Sequence, residues 1–199
     1  MKLIIVDGPD NSGKTTLIDE LTSYVGFEKL NFPKRTDQGR FTIAARNEVA
    51  IFETMLEHLD PSKIYVLDRG YISNLVYYKF RKEFELELMD CEKAENFDED
   101  DYVNDIQRLK ENHNVLYLNL TRDKLNADFE DDLISLTKEQ FNRIIELFEQ
   151  ETAKAGGVSH KILTHNELNE VIDSERLTHK HKIFMLIESY FRESFWEPI

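Results

Sequence analysis

The chain has 199 residues, enough for one sizeable core and too few for two full domains. Its formal charge of −14 argues against a nucleic-acid polymer as partner, since such proteins carry a basic footprint. Apolar runs such as Leu3–Val6 and Ile64–Leu67 fall far short of the roughly 18 to 20 residues of a membrane span, so no membrane partner is expected.

Lys2–Asp7 reads as a short β-branched strand buried on both faces. Gly8–Gly13 interrupts it, and Lys14–Tyr24 follows with apolar residues Leu17, Ile18, Leu21 and Val25 at helical spacing. Phe27–Phe32 is a second strand, stopped by Pro33. Phe41–Leu59 has helical periodicity and ends at Asp60-Pro61. Ile64–Leu67 and Val115–Leu120 are the third and fourth strands, and Lys161–Leu163 is expected to be the fifth. Further helices are expected over Ile72–Met89, Asp101–Asn112, Thr137–Ala155 and Glu175–Phe195, with Gly156-Gly157 as a helix stop. Strands alternating with helices predict an α/β fold, a parallel sheet of about five strands with helices on both faces.

The acidic stretch Asp90–Asp101 lacks an apolar period and reads as a surface connection. Asp98–Asp101 and Glu130–Asp132 read as solvated faces rather than metal sites, and His179 and His181 as surface histidines. Cys91 is the one cysteine and cannot form an internal disulfide, which fits a reducing, cytoplasmic setting. The N-terminus opens directly on a strand, with no signal-peptide pattern. Charge is unevenly spread: residues 1–70 carry a net of −2 and residues 71–199 a net of −12. A small anionic substrate would be drawn to the first third, where cations are nearly balanced.

The strongest signal is Gly8-Pro9-Asp10-Asn11-Ser12-Gly13-Lys14-Thr15, which fits GxxxxGK[ST] between a buried strand and an amphipathic helix. Glycines let the backbone wrap phosphate oxygens with successive N–H groups, and the helix adds its positive end. Lys14 would reach the outer phosphates of ATP, and the Thr15 hydroxyl would ligate Mg²⁺. The pattern is that of a P-loop NTPase, and no Asn-Lys-x-Asp guanine reader of a GTPase is present. Asp68-Arg69 closes the third strand beside the P-loop strand, where the ligand crevice of such sheets opens. A carboxylate there can hold Mg²⁺ or orient an acceptor, and an arginine can grip a phosphate as a planar fork.

These residues resemble the thymidylate kinase family. Its P-loop pattern Gly-x-Asp-x-x-Gly-Lys-[Ser/Thr]-Thr is matched by Gly8 to Thr16, its Phe-Pro-x-Arg by Phe32 to Arg35, and its post-strand segment by Asp68 to Tyr77. The motif match covers residues 1–78; beyond it only the element order corresponds. The resemblance implies a phosphotransferase using ATP and Mg²⁺ on a deoxynucleoside monophosphate, most specifically thymidylate. It implies that Asp10 bonds the sugar 3′-hydroxyl, that Arg35 and Arg69 clamp the acceptor phosphate, and that Asp68 is the Mg²⁺-linked or acceptor-orienting carboxylate. Arg46 and Asn74 would read the pyrimidine edge, with Ser73 beside them and Tyr77 beneath the sugar. Phe41 is a candidate to stack on the base, with Thr42 at the matching position. The family can also form homodimers through helices. The apolar Phe184–Phe195 stretch could serve, although core burial explains it more simply.

Two departures stand out. Asn11 occupies the P-loop position where the family can carry a catalytic arginine, and the lid stretch, about 121–137, is mostly acidic. Either Arg122 or Arg143 fills that role, or the enzyme is slow, or a cation arrives from another place. Gly70 replaces a bulky residue and is expected to leave space near the acceptor. Two other readings compete: a kinase of unphosphorylated nucleosides, and a non-catalytic nucleotide sensor.

Overall fold

The computed structural model describes residues 1–30, 46–89, 92–93, 98–130, 135–166, 170–172 and 176–192, without the side chains of 46–48, 172 and 176–180. Five strands form one parallel sheet: β1 (Lys2–Asp7), β2 (Phe27–Leu30), β3 (Ile64–Asp68), β4 (Asn114–Thr121) and, after a short hairpin, β7 (Val158–Lys161). Their order is β2-β3-β1-β4-β7, which puts the first strand in the middle. Val6 is in register with Asp68 on one side and Leu118 on the other. The carboxyl ends of β1, β3 and β4 therefore share one rim of the sheet, where ligands of open α/β sheets bind.

Period-two alternation divides the core. Leu3 and Ile5 of β1 pack with α2 (Arg46–Glu57), α3 (Tyr71–Glu83), α4 (Glu99–Asn112) and α5 (Lys138–Lys154). Ile4 and Val6 pack on the other face with α1 (Lys14–Leu21) and α6 (Arg176–Phe191). Phe184, Ile187 and Phe191 are buried in that second layer, as core packing requires. Among the described residues, no helix is long and apolar enough to cross a membrane.

Several boundaries differ from expectation. The helix expected over Ile72–Met89 ends at Glu83. Glu85 takes a left-handed φ of 52°, and Leu86 N–H reaches Arg81 C=O at 2.8 Å while Glu85 N–H reaches Lys82 C=O. This is a Schellman closure without the glycine that announces one. Gly156 (φ 70°) and Gly157 close α5 the same way, with Gly157 N–H on Thr152 C=O at 2.8 Å. The fifth sheet strand can then start at once, at Val158 rather than Lys161, pairing Val158 with Leu118. Ile162 and Leu163, expected within that strand, instead pack beside the P-loop.

The acidic run that opens α4 is solvated, as expected, and it also caps the helix. Asp98 accepts from Asp101 N–H, Asp101 accepts from Asp98 N–H, and Glu99, Asp100 and Asp101 fill the first turn. Negative charge there complements the helix dipole. The connection before it also holds a buried carboxylate, Glu92, which accepts from Tyr102 Oη at 3.0 Å, Met89 N–H at 2.7 Å and Arg81. In the lid stretch, β5 (Phe129–Glu130) and β6 (Ser135–Leu136) pair antiparallel, and Leu125, Phe129, Phe141 and Ile145 form a small satellite core. A second two-stranded ribbon joins β8 (Thr164–His165) to β9 (Val171–Ile172). Neither ribbon was legible as a strand pair, because two-residue strands carry no period.

Candidate active site

The P-loop is wedged between two walls. Gly8 has φ 138°, and a Cβ added there would collide with the Leu120 carbonyl of β4. Gly13, at φ 91°, caps α1 without a side-chain partner, and a Cβ there would meet Ile162 Cδ1 at 2.8 Å. Only glycine accommodates both approaches. The first turn of α1 thus presents its N–H groups without a side-chain acceptor from its own cap.

Lys14 is buried, at 8% exposure, and its Nζ donates to Pro9 C=O at 2.6 Å. Ser12 Oγ donates to the same carbonyl at 2.9 Å. Burial, then the nearby Arg69 charge, pulls the Lys14 ammonium from its usual 10.5 to about 7, against the opposing pull of Asp10, Asp68 and Asp7. The Thr15 and Thr16 hydroxyls lie on exposed residues at the open end of α1.

Arg69 follows β3 in the left-handed region, φ 68°, which costs a non-glycine residue roughly 1 kcal/mol or more. Its N–H donates to Val6 C=O at 3.0 Å. Its guanidinium turns back over the P-loop, with Nη1 on Gly8 C=O at 2.9 Å and Nη2 on Asp10 Oδ1 at 2.6 Å. It also lies over the Tyr77 ring, 5.6 Å from the centroid, and Tyr77 leans edge-on against Phe148. Asp68 and Asn74 are half-buried at the same rim.

Gly70 does not leave space at the acceptor. A Cβ there would lie 2.6 Å from Ile5 Cγ2, so the missing side chain serves the close approach of α3 to β1. Ser73 is buried and donates to Asp7, which also accepts from Gly70 N–H at 3.0 Å. Burial pushes the Asp7 carboxyl up, opposed by those two donors and by Arg69 and Lys14.

Arg122, at the base of the lid stretch, is 3% exposed. It donates to Asp10 C=O at 3.1 Å and stacks over Phe141 at 5.2 Å. Burial lowers its guanidinium to about 10, still charged near neutrality. Arg143 of α5, the rival for a lid cation, is held by Glu83 at the end of α3 and by Glu146 of its own helix. Asp123 accepts from Lys161 Nζ at 2.7 Å and from His165 N–H at 3.1 Å, while His165 Nε2 lies 3.1 Å from Asn11 C=O. Burial and the Arg122 charge lower the His165 pKa. A cleft of about 270 Å³ opens there, lined by Arg122, Asn126, Phe129, His165 and Asn166 among others.

The structure thus brings together Gly8 to Thr16, Asp68, Arg69, Asn74, Tyr77 and Arg122 at one rim. Arg35, Phe41 and the Arg46 side chain lie outside the described residues. Asp7 and His165 were missed. Asp7 had a signal, an ionisable residue closing an otherwise apolar strand. His165 had none, being 154 residues from its Asn11 partner. Among the described residues, no three His, Cys, Asp or Glu side chains cluster as a metal centre.

No family model matches the chain, and no curated protein matches it in sequence. Solved structures share its fold. YorR from Bacillus subtilis, in complex with phosphorylated GDP, has a TM-score of 0.53 at 17% identity, over 97% of this chain and 100% of that one. A thymidylate kinase from Candida albicans has a TM-score of 0.51 at 17% identity, over 99% and 95%. NadR, in complex with NR, has a TM-score of 0.53 at 19% identity, over 100% of this chain and 53% of that one. The fold is that of the P-loop NTPases, with the sheet order and phosphate loop described above.

Proposed function

We propose that the chain is an ATP-dependent phosphotransferase whose acceptor is a deoxynucleoside monophosphate, most specifically thymidylate. One observation carries the reading: the Arg69 guanidinium sits over the P-loop mouth, on Gly8 C=O and Asp10, instead of pointing to solvent. Two anion grips then face each other. The N–H groups of the P-loop and Lys14 take the donor phosphates, and Arg69 takes the acceptor phosphate.

Little covalent chemistry is asked of such a site; alignment and charge neutralisation do most of the work. Asp10 would hold the sugar 3′-hydroxyl, Tyr77 would lie beneath the sugar, and Asn74 and Arg46 would read the base edge. Arg35 would join Arg69 on the phosphate. The cleft beside Arg122 and His165 suits the base of the donor. Thr15 and Asp68 offer hard oxygen ligands at neighbouring ends of α1 and β3, which fits Mg²⁺. When bound, that ion would neutralise charge between the outer phosphates.

The test is ADP release from Mg²⁺-ATP against a panel of nucleosides and their monophosphates. Thymidylate should be consumed, and Arg69→Ala should raise its KM at least tenfold while the KM for ATP stays within about twofold. Unchanged thymidylate kinetics in that variant sink the assignment. A nucleoside acceptor is the second reading, favoured by the Asp10–Arg69 ion pair, which already compensates the guanidinium. Use of thymidine in place of its monophosphate would establish it, and tight binding without turnover would identify a sensor.

A further inference from the structure

Helix α3 begins at Tyr71 behind an extended Gly70 that has no side chain to cap it, and its first turn carries no acidic residue. The N–H groups of such a turn need acceptors from elsewhere. Asp7 supplies one from a different strand. Odd-numbered residues of β1 face α3, as Leu3 and Ile5 do, so the Asp7 carboxylate at 1% exposure points the same way. Its Oδ1 takes the Gly70 N–H at 3.0 Å and the Ser73 hydroxyl. In an ordinary capping box, the cap residue and the residue three positions on satisfy each other. Here the carboxylate of Asp7 bridges those two positions, 63 and 66 residues further along the chain.

The residue between β3 and this bridged turn is Arg69. Its left-handed backbone is held on both sides by the end of β1: Val6 C=O accepts from Arg69 N–H, and Asp7 accepts from the next N–H. Strained conformations persist where surrounding contacts over-determine them. The side chain then leaves the backbone toward Gly8 and Asp10. The Asp7 Oδ2 atom is buried without a hydrogen-bond partner, so one oxygen does both jobs. A buried carboxylate kept half-satisfied is costly, and packing alone does not call for it.

We propose that Asp7 is a positioning residue that closes the start of α3 from the neighbouring strand and thereby fixes the left-handed turn aiming Arg69 at the P-loop. The kinetic part of this inference rests on the acceptor role given to Arg69 above; the structural part does not.

The experiment compares wild type, Asp7→Ala, Ser73→Ala, Arg69→Ala and the Asp7→Ala/Arg69→Ala double variant. Asp7→Ala should raise the acceptor KM at least tenfold and leave the ATP KM within twofold. In the Arg69→Ala background it should add less than twofold, because Asp7 acts through Arg69. An equal rise in both KM values, or full additivity in the double variant, overturns the proposal. Should Asp7→Ala fail to fold, Ser73→Ala carries the test with a smaller shift in the acceptor KM alone, and no shift overturns it. Hydrogen exchange separates the two readings. Faster exchange at residues 70–74, with P-loop amides as in wild type, supports the positioning role even where wild type uses no nucleoside or nucleotide. Unchanged exchange there overturns it whatever the kinetics.

Discussion

Lys14 sits in an uneasy place. Its ammonium is buried against a single carbonyl and beside a guanidinium, which lowers its affinity for a proton to about pH 7. Below that pH the lysine is charged in both folded and unfolded chains, and folding carries the full desolvation penalty. Between about pH 7 and 10.5 the unfolded chain holds more of this proton, so the penalty fades as pH rises. Lys14→Met should therefore raise the melting temperature, and by more at pH 6 than at pH 9; thermal unfolding at both values checks this. A larger gain at pH 9 would mean that the Nζ is not desolvated. Gly70 shows how a residue can mislead at this scale. Its lack of side chain looked like room for an acceptor, yet the space belongs to Ile5.

Helix α3 links the site to the core. Its Tyr77 lies under Arg69 on one side and meets Phe148 of α5 edge-on at 5.9 Å on the other. Phe148 is fully buried, so Phe148→Ala should cost about 3–5 kcal/mol in denaturant unfolding. A loss under about 1 kcal/mol would mean that α5 does not hold α3 as described. Elements with a strong period were legible from residues alone: β1, α1, β3, β4 and α5 lie within a residue or a few of expectation. The misses have physical causes. Glu85 ends α3 in a conformation that glycine normally announces. The β5 and β6 strands are too short for any period. The P-loop and the Asp68-Arg69 pair could be read because each is local. The bridges from Asp7 to Ser73 and from His165 to Asn11 could not, because they depend on which strands become neighbours.

Across the whole molecule, the lid stretch is tied to the P-loop rather than standing apart from it. Arg122 reaches the Asp10 carbonyl, and Asp123 joins Lys161 and His165, which reaches Asn11. A displacement at residues 122–123 would therefore be felt at Asp10 and Asn11 of the P-loop. Arg122→Ala should lower kcat at least tenfold in the ADP-release assay, whereas Arg143→Ala, whose arginine is committed to Glu83 and Glu146, should stay within about threefold. The opposite ranking would move the lid cation to α5.

The central position of β1 also governs timing. The phosphate loop is written in the first 16 residues, but its walls are the Leu120 carbonyl and Ile162. Those walls lie about a hundred residues or more beyond the motif in the chain, so the motif becomes a cradle only once β1 lies beside β4. The cradle thus depends on the long-range pairing of β1 with β3 and β4, the class of contact that is intrinsically slow to form.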